Sequence, residues 1–251
     1  MKYLLTTIGF VFILSCQQKG KLSLEPLKID SIDSIPFLMT RMQIDSVFET
    51  VTYGQFGSAK EGEICNQYIL DKRNTVIQKT KSFMCCSYIH RYDSLGFLIY
   101  RSTFSDFLAE YNRTYKREGG RIIELEKSLH NDEKRSVYYL NQTKIAFKTS
   151  RNNLDPTYDE KVAYNYNKSD KITKKTTEII NLKELSNRKE KRVKTYSWVG
   201  SNLDQTNEKD YFENGIDYYE TVTKFDLDGF PVSKIMYKNH DVICKTIIIK
   251  Y

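Results

Sequence analysis

The residues best equipped for chemistry in this chain are few and scattered. Asp226 and Asp228, in Phe225-Asp-Leu-Asp-Gly229, form a carboxylate pair that could hold Ca²⁺. No bidentate glutamate follows at loop spacing, and an Asp that opens a turn which Gly closes accounts for the pair. The three histidines, His90, His130 and His240, have no ligand-type neighbour at zinc spacing, so neither a metal site nor a cofactor is expected. The chain contains no G-x-S-x-G elbow, no H-E-x-x-H and no G-x-x-x-x-G-K-[ST], and the sequence reads as that of a non-enzyme. Nineteen tyrosines and the single Trp198 open a different possibility, aromatic faces stacking on sugars, although tyrosine is also a favoured, half-buried strand residue.

The cysteines are the reactive groups with positional meaning. Residues 4–14 are apolar apart from two threonines and a glycine, follow a single Lys2, and are too short for the roughly 20 residues of a spanning helix. With Ile13-Leu14-Ser15-Cys16 behind them they resemble the leader and lipobox of bacterial lipoproteins. That resemblance implies cleavage before Cys16, acyl chains on its sulfur and amine, and a membrane partner held through those chains. Leu14 departs from the smaller residue more usual there. Gln17 is not the Asp that retains enterobacterial lipoproteins in the inner membrane, and the acidic residues common after the cysteine in surface-exported Bacteroidetes lipoproteins are absent from Gln17-Gln18-Lys19-Gly20. The resemblance therefore implies the outer membrane, lipid-anchored and facing the periplasm. Setting Cys16 aside leaves Cys65, Cys85, Cys86 and Cys244, an even number for an oxidising compartment. Adjacent Cys85 and Cys86 point to opposite faces of a strand, so a bridge from Cys65 to one of them is expected, with buried free thiols as the alternative.

Composition fits an exported folded domain: 40% apolar and 28% charged residues, with a net charge of +7 that falls to +6 without Lys2. No nucleic-acid motif is present, and nucleic acid is not an expected partner. Residues 1–15 read as signal peptide, 16–35 as lipidated cysteine and tether, and 36–251 as one β-rich domain. A helix is expected near 41–52: Thr40 and Gln43 fit a capping box, Ile44, Val47, Phe48 and Val51 form one stripe, and Gly54 would end it.

Beyond residue 62 the apolar period becomes two. Val162, Tyr164 and Tyr166 share one face, and Tyr111, Arg113 and Tyr115 repeat the arrangement, as antiparallel strands require. Between such runs an aromatic residue is followed four positions on by Gly or Asp. Tyr92-Asp93-Ser-Leu-Gly96 and Phe225-Asp226-Leu-Asp-Gly229 are the closest copies, Tyr115 to Gly119 and Tyr196 to Gly200 keep the spacing, and Tyr166 to Asp170 and Tyr237 to Asp241 substitute Asp. A type I turn closed by a residue at positive φ suits this unit. It resembles the YD repeats of the RHS and teneurin families over roughly 83–251, and similar hairpin repeats of Bacteroidetes lipoproteins. The expected fold is all-β, an antiparallel meander of hairpins forming a curved sheet or incomplete barrel, with one short N-terminal helix. Residues 181–190 and 201–215 read as long loops, and Ile247-Ile248-Ile249 as a central or covered strand. Functionally, the sequence points to a lipid-anchored envelope protein acting as a non-catalytic structural or interaction surface for an unknown envelope protein. A glycan- or lipid-binding module on the concave aromatic face, and more remotely a hydrolase, stand beside it.

Overall fold

Strand follows strand in this protein because each run of alternating residues folds back on the one before it. The computed structural model describes residues 25–81, 87–104, 108–128, 133–152, 158–181, 189–211 and 218–251. A 3-10 segment, Glu25–Ser31, leads into one helix, α1 (Ile35–Met42). The strands are β1 Ser46–Phe56, β2 Ala59–Lys60, β3 Ile64–Leu70, β4 Thr75–Thr80, β5 Ser87–Tyr92, β6 Leu98–Phe104, β7 Leu108–Glu118, β8 Arg121–Ser128 and β9 Glu133–Asn141. They continue with β10 Lys144–Asn152, β11 Tyr158–Tyr166, β12 Ile172–Asn181, β13 Lys189–Val199, β14 Asn202–Tyr211, β15 Tyr218–Phe225, β16 Pro231–Lys238 and β17 Asp241–Lys250. Among the described residues no helix is long and apolar enough to cross a membrane, which says nothing of strands.

From β4 to β17 every strand pairs antiparallel with its predecessor, and β1 pairs with both β17 and β3. The sheet therefore closes. Sixteen strands form the ring, with two-residue β2 paired to β1 at its rim. This corrects the expected open curved sheet or incomplete barrel: closure rests on Val47 to Gly54 meeting Cys244 to Lys250, a pairing of the two ends of the domain that no local pattern announces. β14 is a second correction. Its polar, turn-like sequence forms a ten-residue strand within the stretch expected as a 201–215 loop, because neighbours on both sides satisfy its backbone. Residues 182–188 lie outside the described residues.

The hairpin turns repeat one geometry. Asp93 Oδ1 accepts from the amides of Leu95 (2.9 Å) and Phe97 (2.8 Å), while the Gly96 amide donates to the Asp93 carbonyl at 3.0 Å. Asp71, Asn167 and Asp226 make the same set of bonds, closed by Asn74, Asp170 and Gly229 at positive φ. Consecutive antiparallel strands put all four turns at one end of the barrel. Gly119 and Gly200 are also at bends of that end with positive φ, but in two-residue turns, so Tyr115 and Tyr196 stand within strands.

The helix is displaced from its expected place. α1 spans 35–42, whereas residues 46–56 are β1, with Val47, Glu49 and Val51 buried at alternate positions. β-Branched and aromatic residues (Val47, Phe48, Thr50, Val51, Thr52, Tyr53) favour the extended form, and ladders on both sides outweigh a short amphipathic helix. Thr40 is no cap: its hydroxyl donates to the Phe37 carbonyl at 2.8 Å, and Gln43 ends the helix in the left-handed region. Ile35 to Thr40 are all buried, which an eight-residue helix achieves only when it is surrounded. It lies inside the barrel at the end of the tight turns, among inward residues Val47, Tyr68, Val76, Tyr92 and Ile248. The 3-10 segment continues this stopper, with Leu27 packed among Phe97, Ile122, Ile145 and Tyr164. Among the described residues this stopper begins at Glu25. Each large apolar side chain so buried contributes about 1.5–3 kcal/mol. Of the three isoleucines in β17, Ile248 packs inward against this cluster, while Ile247 and Ile249 face outward and remain exposed.

Candidate functional site

A ring of sixteen strands is too wide for its wall side chains to fill, and here the inner face divides into two layers. Near the tight turns the inward residues are apolar and close around α1. Farther along the same strands they are polar or charged. On β8 and β9, Ile122 stands opposite Tyr138, then Glu124 opposite Ser136, then Glu126 opposite Lys134. On β12 and β13, Lys175 stands opposite Lys194 and Thr177 opposite Arg192. A chamber of about 530 Å³ begins at the stopper and runs up this polar layer.

Seven cationic side chains line it, Lys28, Arg101, Arg113, Lys134, Lys148, Lys175 and Arg192, against the single carboxylate of Glu124. Other carboxylates sit against the same cations. Glu126, buried, takes Arg101 Nη2 at 2.6 Å on one oxygen and Arg113 Nε at 2.5 Å on the other. Lys134 reaches Glu160 at 3.5 Å, and Arg192 pairs with Asp210 and, at 3.3 Å, with Glu208. Burial pushes the Glu126 carboxyl up, but the two guanidiniums outweigh it and hold it below the ordinary range, so the pairs stay ionised. His90, beside Arg101 on the inner face, feels the same field. Burial, with help from Arg101 and Arg113, pushes its imidazole down to about 4, and it is neutral at physiological pH.

Aromatic rings support the cations. Lys148 Nζ lies 5.0 Å from the Tyr138 ring, Lys175 Nζ 5.8 Å from Tyr164 and Lys28 Nζ 5.4 Å from Phe97. Tyr138 donates to Glu124 at 3.2 Å, and Tyr115 donates to the Leu98 carbonyl at 2.9 Å. The stopper is tied to the wall by charge as well as by packing: Lys194 pairs with Asp33 and, at 2.9 Å, with Glu208. Burial lowers the tendency of Lys194 to hold its proton, but the two carboxylates outweigh that and keep it charged.

A second polar cluster sits in the seam. Glu49 is fully buried and accepts from Thr246 at 2.7 Å, Asn66 at 2.9 Å and Lys234 at 2.9 Å. Its neighbours Cys65 and Cys244 are buried free thiols, and the Cys65 thiol donates to the Glu49 carbonyl at 3.2 Å. Burial pushes the Cys65 thiol up to about 12, which makes it unreactive.

Of the residues singled out in the sequence, Asp93, Gly96, Gly119, Gly200, Asp226 and Gly229 lie at turns of the stoppered end, and Gly96 and Leu98 border the chamber floor. Asp226 and Asp228 share Lys250 at 2.7 and 3.4 Å, and among the described residues no three metal-ligating groups converge. Cys16, Cys85 and Cys86 lie outside the described residues. The lumen cations went unrecognised, although Arg113 between Tyr111 and Tyr115 on one strand face carried the signal.

No known protein family and no curated protein matches this chain. Solved structures similar to it include a porin-like protein from Bacteroides vulgatus, 8% identical with a TM-score of 0.35, and one from Bacteroides uniformis, 12% identical with a TM-score of 0.33. Each comparison covers 83% of this chain and 98% of the other. The expected kinship with YD-repeat lipoproteins is thereby corrected: no YD-type family matches, and the similar solved structures are porin-like. The expected roles are corrected with it. In a closed ring there is no open concave sheet to serve as an interaction surface or as an aromatic glycan platform, and the inner face carries charge.

Proposed function

We propose that this protein is a non-catalytic receptacle that holds a small polar solute inside its barrel. The observation that carries this reading is the polar chamber of about 530 Å³, enclosed by a sealed sheet and floored by the chain's own N-terminal segment. A chamber of that size suits a ligand of drug-like dimensions. A cysteine at Lys134, on the chamber wall, is expected to react with a small neutral thiol reagent well above the background of the unsubstituted protein. A K134C variant that reacts no faster than that background sinks the reading.

A second reading, an outer-membrane channel, is favoured by closure of the ring around a lumen lined by polar and charged residues. Two features weigh against it. The stopper fills one end, and the outward face carries exposed Lys116, Lys161, Lys174, Lys224 and Lys245 within the strands. Lysine facing lipid costs about 2–4 kcal/mol at the bilayer midplane. The same preparation is therefore expected to give no conductance steps in planar bilayers; regular steps would favour the channel.

The leader supports an outer-membrane location reached through acyl chains on Cys16, with residues 17–24 linking the anchor to the stopper. Cys16→Ala is expected to move the protein from the membrane to the soluble fraction. Unchanged fractionation would remove the anchor from this picture.

A further inference from the structure

We infer that the stoppered end of the barrel sits flat on a lipid surface, with the chamber facing away from it. This rests on the anchor reading and adds which end of the fold meets the membrane and which residues enter it. The four most exposed large apolar side chains among the described residues are Leu227 (85%), Tyr251 (69%), Val199 (65%) and Leu95 (63%). All four stand at this end. Leu95 and Leu227 are at the tips of the β5–β6 and β15–β16 turns, Val199 is at the edge of the β13–β14 turn, and Tyr251 follows β17 with its backbone paired to Ser46. Single exposed apolar residues are ordinary on any protein surface, but four gathered on one end are not.

Local structure does not ask for them. The Asp93 and Asp226 turns are held by an aspartate oxygen and closed by a glycine at positive φ, and the leucine side chains take no part. The two turns with the same bonds carry exposed Lys72-Arg73 and Lys168-Ser169 at those positions. Leucine and tyrosine entering the acyl boundary, beside lysine and arginine that stay among the headgroups, make a surface suited to lie on a membrane.

The placement of the tips selects the occupant. In the ring, the β5–β6 and β13–β14 turns are eight strands apart and so stand on opposite sides, with Leu227 and Tyr251 between them. A partner that touches all four is broad and flat, as a bilayer is. Chain length brings the same end there. Pro26 shares a cleft with Thr143 and Asp170 of the β9–β10 and β11–β12 turns, so the chain enters the barrel at this end. From an anchor at Cys16, the chain to Glu25 reaches at most about 30 Å.

The test uses the full chain as extracted from membranes, reconstituted in vesicles of phosphatidylethanolamine and phosphatidylglycerol with brominated acyl chains. Fluorescence of Leu227→Trp is read against the unsubstituted protein, and Glu61→Trp, between β2 and β3 at the opposite end, is the control. The added signal of Leu227→Trp is expected to fall by about half or more, because bromine quenches only what enters the acyl region, while Glu61→Trp keeps its signal. No quenching at Leu227→Trp, or equal quenching at both ends, would overturn the seating. So would a blue shift of Leu227→Trp that grows with protein concentration in the absence of vesicles, which would give this end to a second copy of the chain. The Cys16→Ala fractionation separates the two levels. Release by Cys16→Ala without quenching at Leu227→Trp keeps the anchor and rejects the seating, whereas Cys16→Ala that stays with the membrane while Leu227→Trp is quenched rejects the anchor and keeps the seating.

Discussion

Alanine at Gly54 is expected to unfold the barrel or to destabilise it by about 3 kcal/mol or more, because β1 has no room there for a side chain. Gly54 lies at φ +73°, and a Cβ on it would stand 2.1 Å from the Ile243 carbonyl oxygen, backbone that can yield only by moving β17. This is the seam that closes the ring, since Gly54 is registered against Cys244 beside a bulge. Gly229 provides the control. Its φ is +79° but a Cβ there meets nothing within 4 Å, so Gly229→Ala should cost only about 1 kcal/mol for the left-handed backbone. Urea unfolding of the two variants measures the difference. A Gly54→Ala protein as stable as Gly229→Ala would mean that β1 and β17 do not approach as described.

The second large effect is expected at the same seam. Glu49→Ala should cost about 3 kcal/mol, since it removes the acceptor of three hydrogen bonds and leaves Lys234 without its partner in the wall. Burial by itself pushes the Glu49 carboxyl up, but Lys234, Thr246 and Asn66 together hold it below the usual carboxylate value of 4.5. A carboxyl with a depressed folded value contributes stability that is fully present above its unfolded value and is lost as pH falls through the folded one. The wild-type protein should therefore lose part of its stability below about pH 4.5, and Glu49→Gln should flatten that acid limb of the melting-temperature profile. An unchanged acid limb in Glu49→Gln would assign the loss to other carboxylates such as Glu126.

Both variants act on contacts between residues nearly 200 positions apart, and that separation marks what could and could not be read from the chain. The individual hairpins were legible. Val162, Tyr164 and Tyr166 alternate with exposed neighbours because successive side chains of a strand point to opposite faces. Asp93 and Asp226 announce turns because a short carboxylate can accept from two amides of its own loop. The strands on either side of each of these turns, β5 with β6 and β15 with β16, are neighbours in the ring.

The region before residue 56 was not legible in the same way. Ile44, Val47, Phe48 and Val51 satisfy a helical period, while Val47, Glu49 and Val51 satisfy a strand period, and only the ladders from β3 and β17 decide between them. The site was hidden for a related reason. Outward lysines such as Lys161 and inward ones such as Lys148 look alike in sequence when both faces of a strand are of mixed polarity, and the face is assigned only when the ring closes.

The sequence by itself determined an all-β chain of antiparallel hairpins and the turns that join them, since those depend on contacts within a few tens of residues. Tertiary structure alone decided that the sheet seals, that the N-terminal segment lies within it, and that seven cations meet in one chamber. These depend on how many twisted strands must pair before the last can meet the first, a property of the whole ring that no local stretch of residues carries.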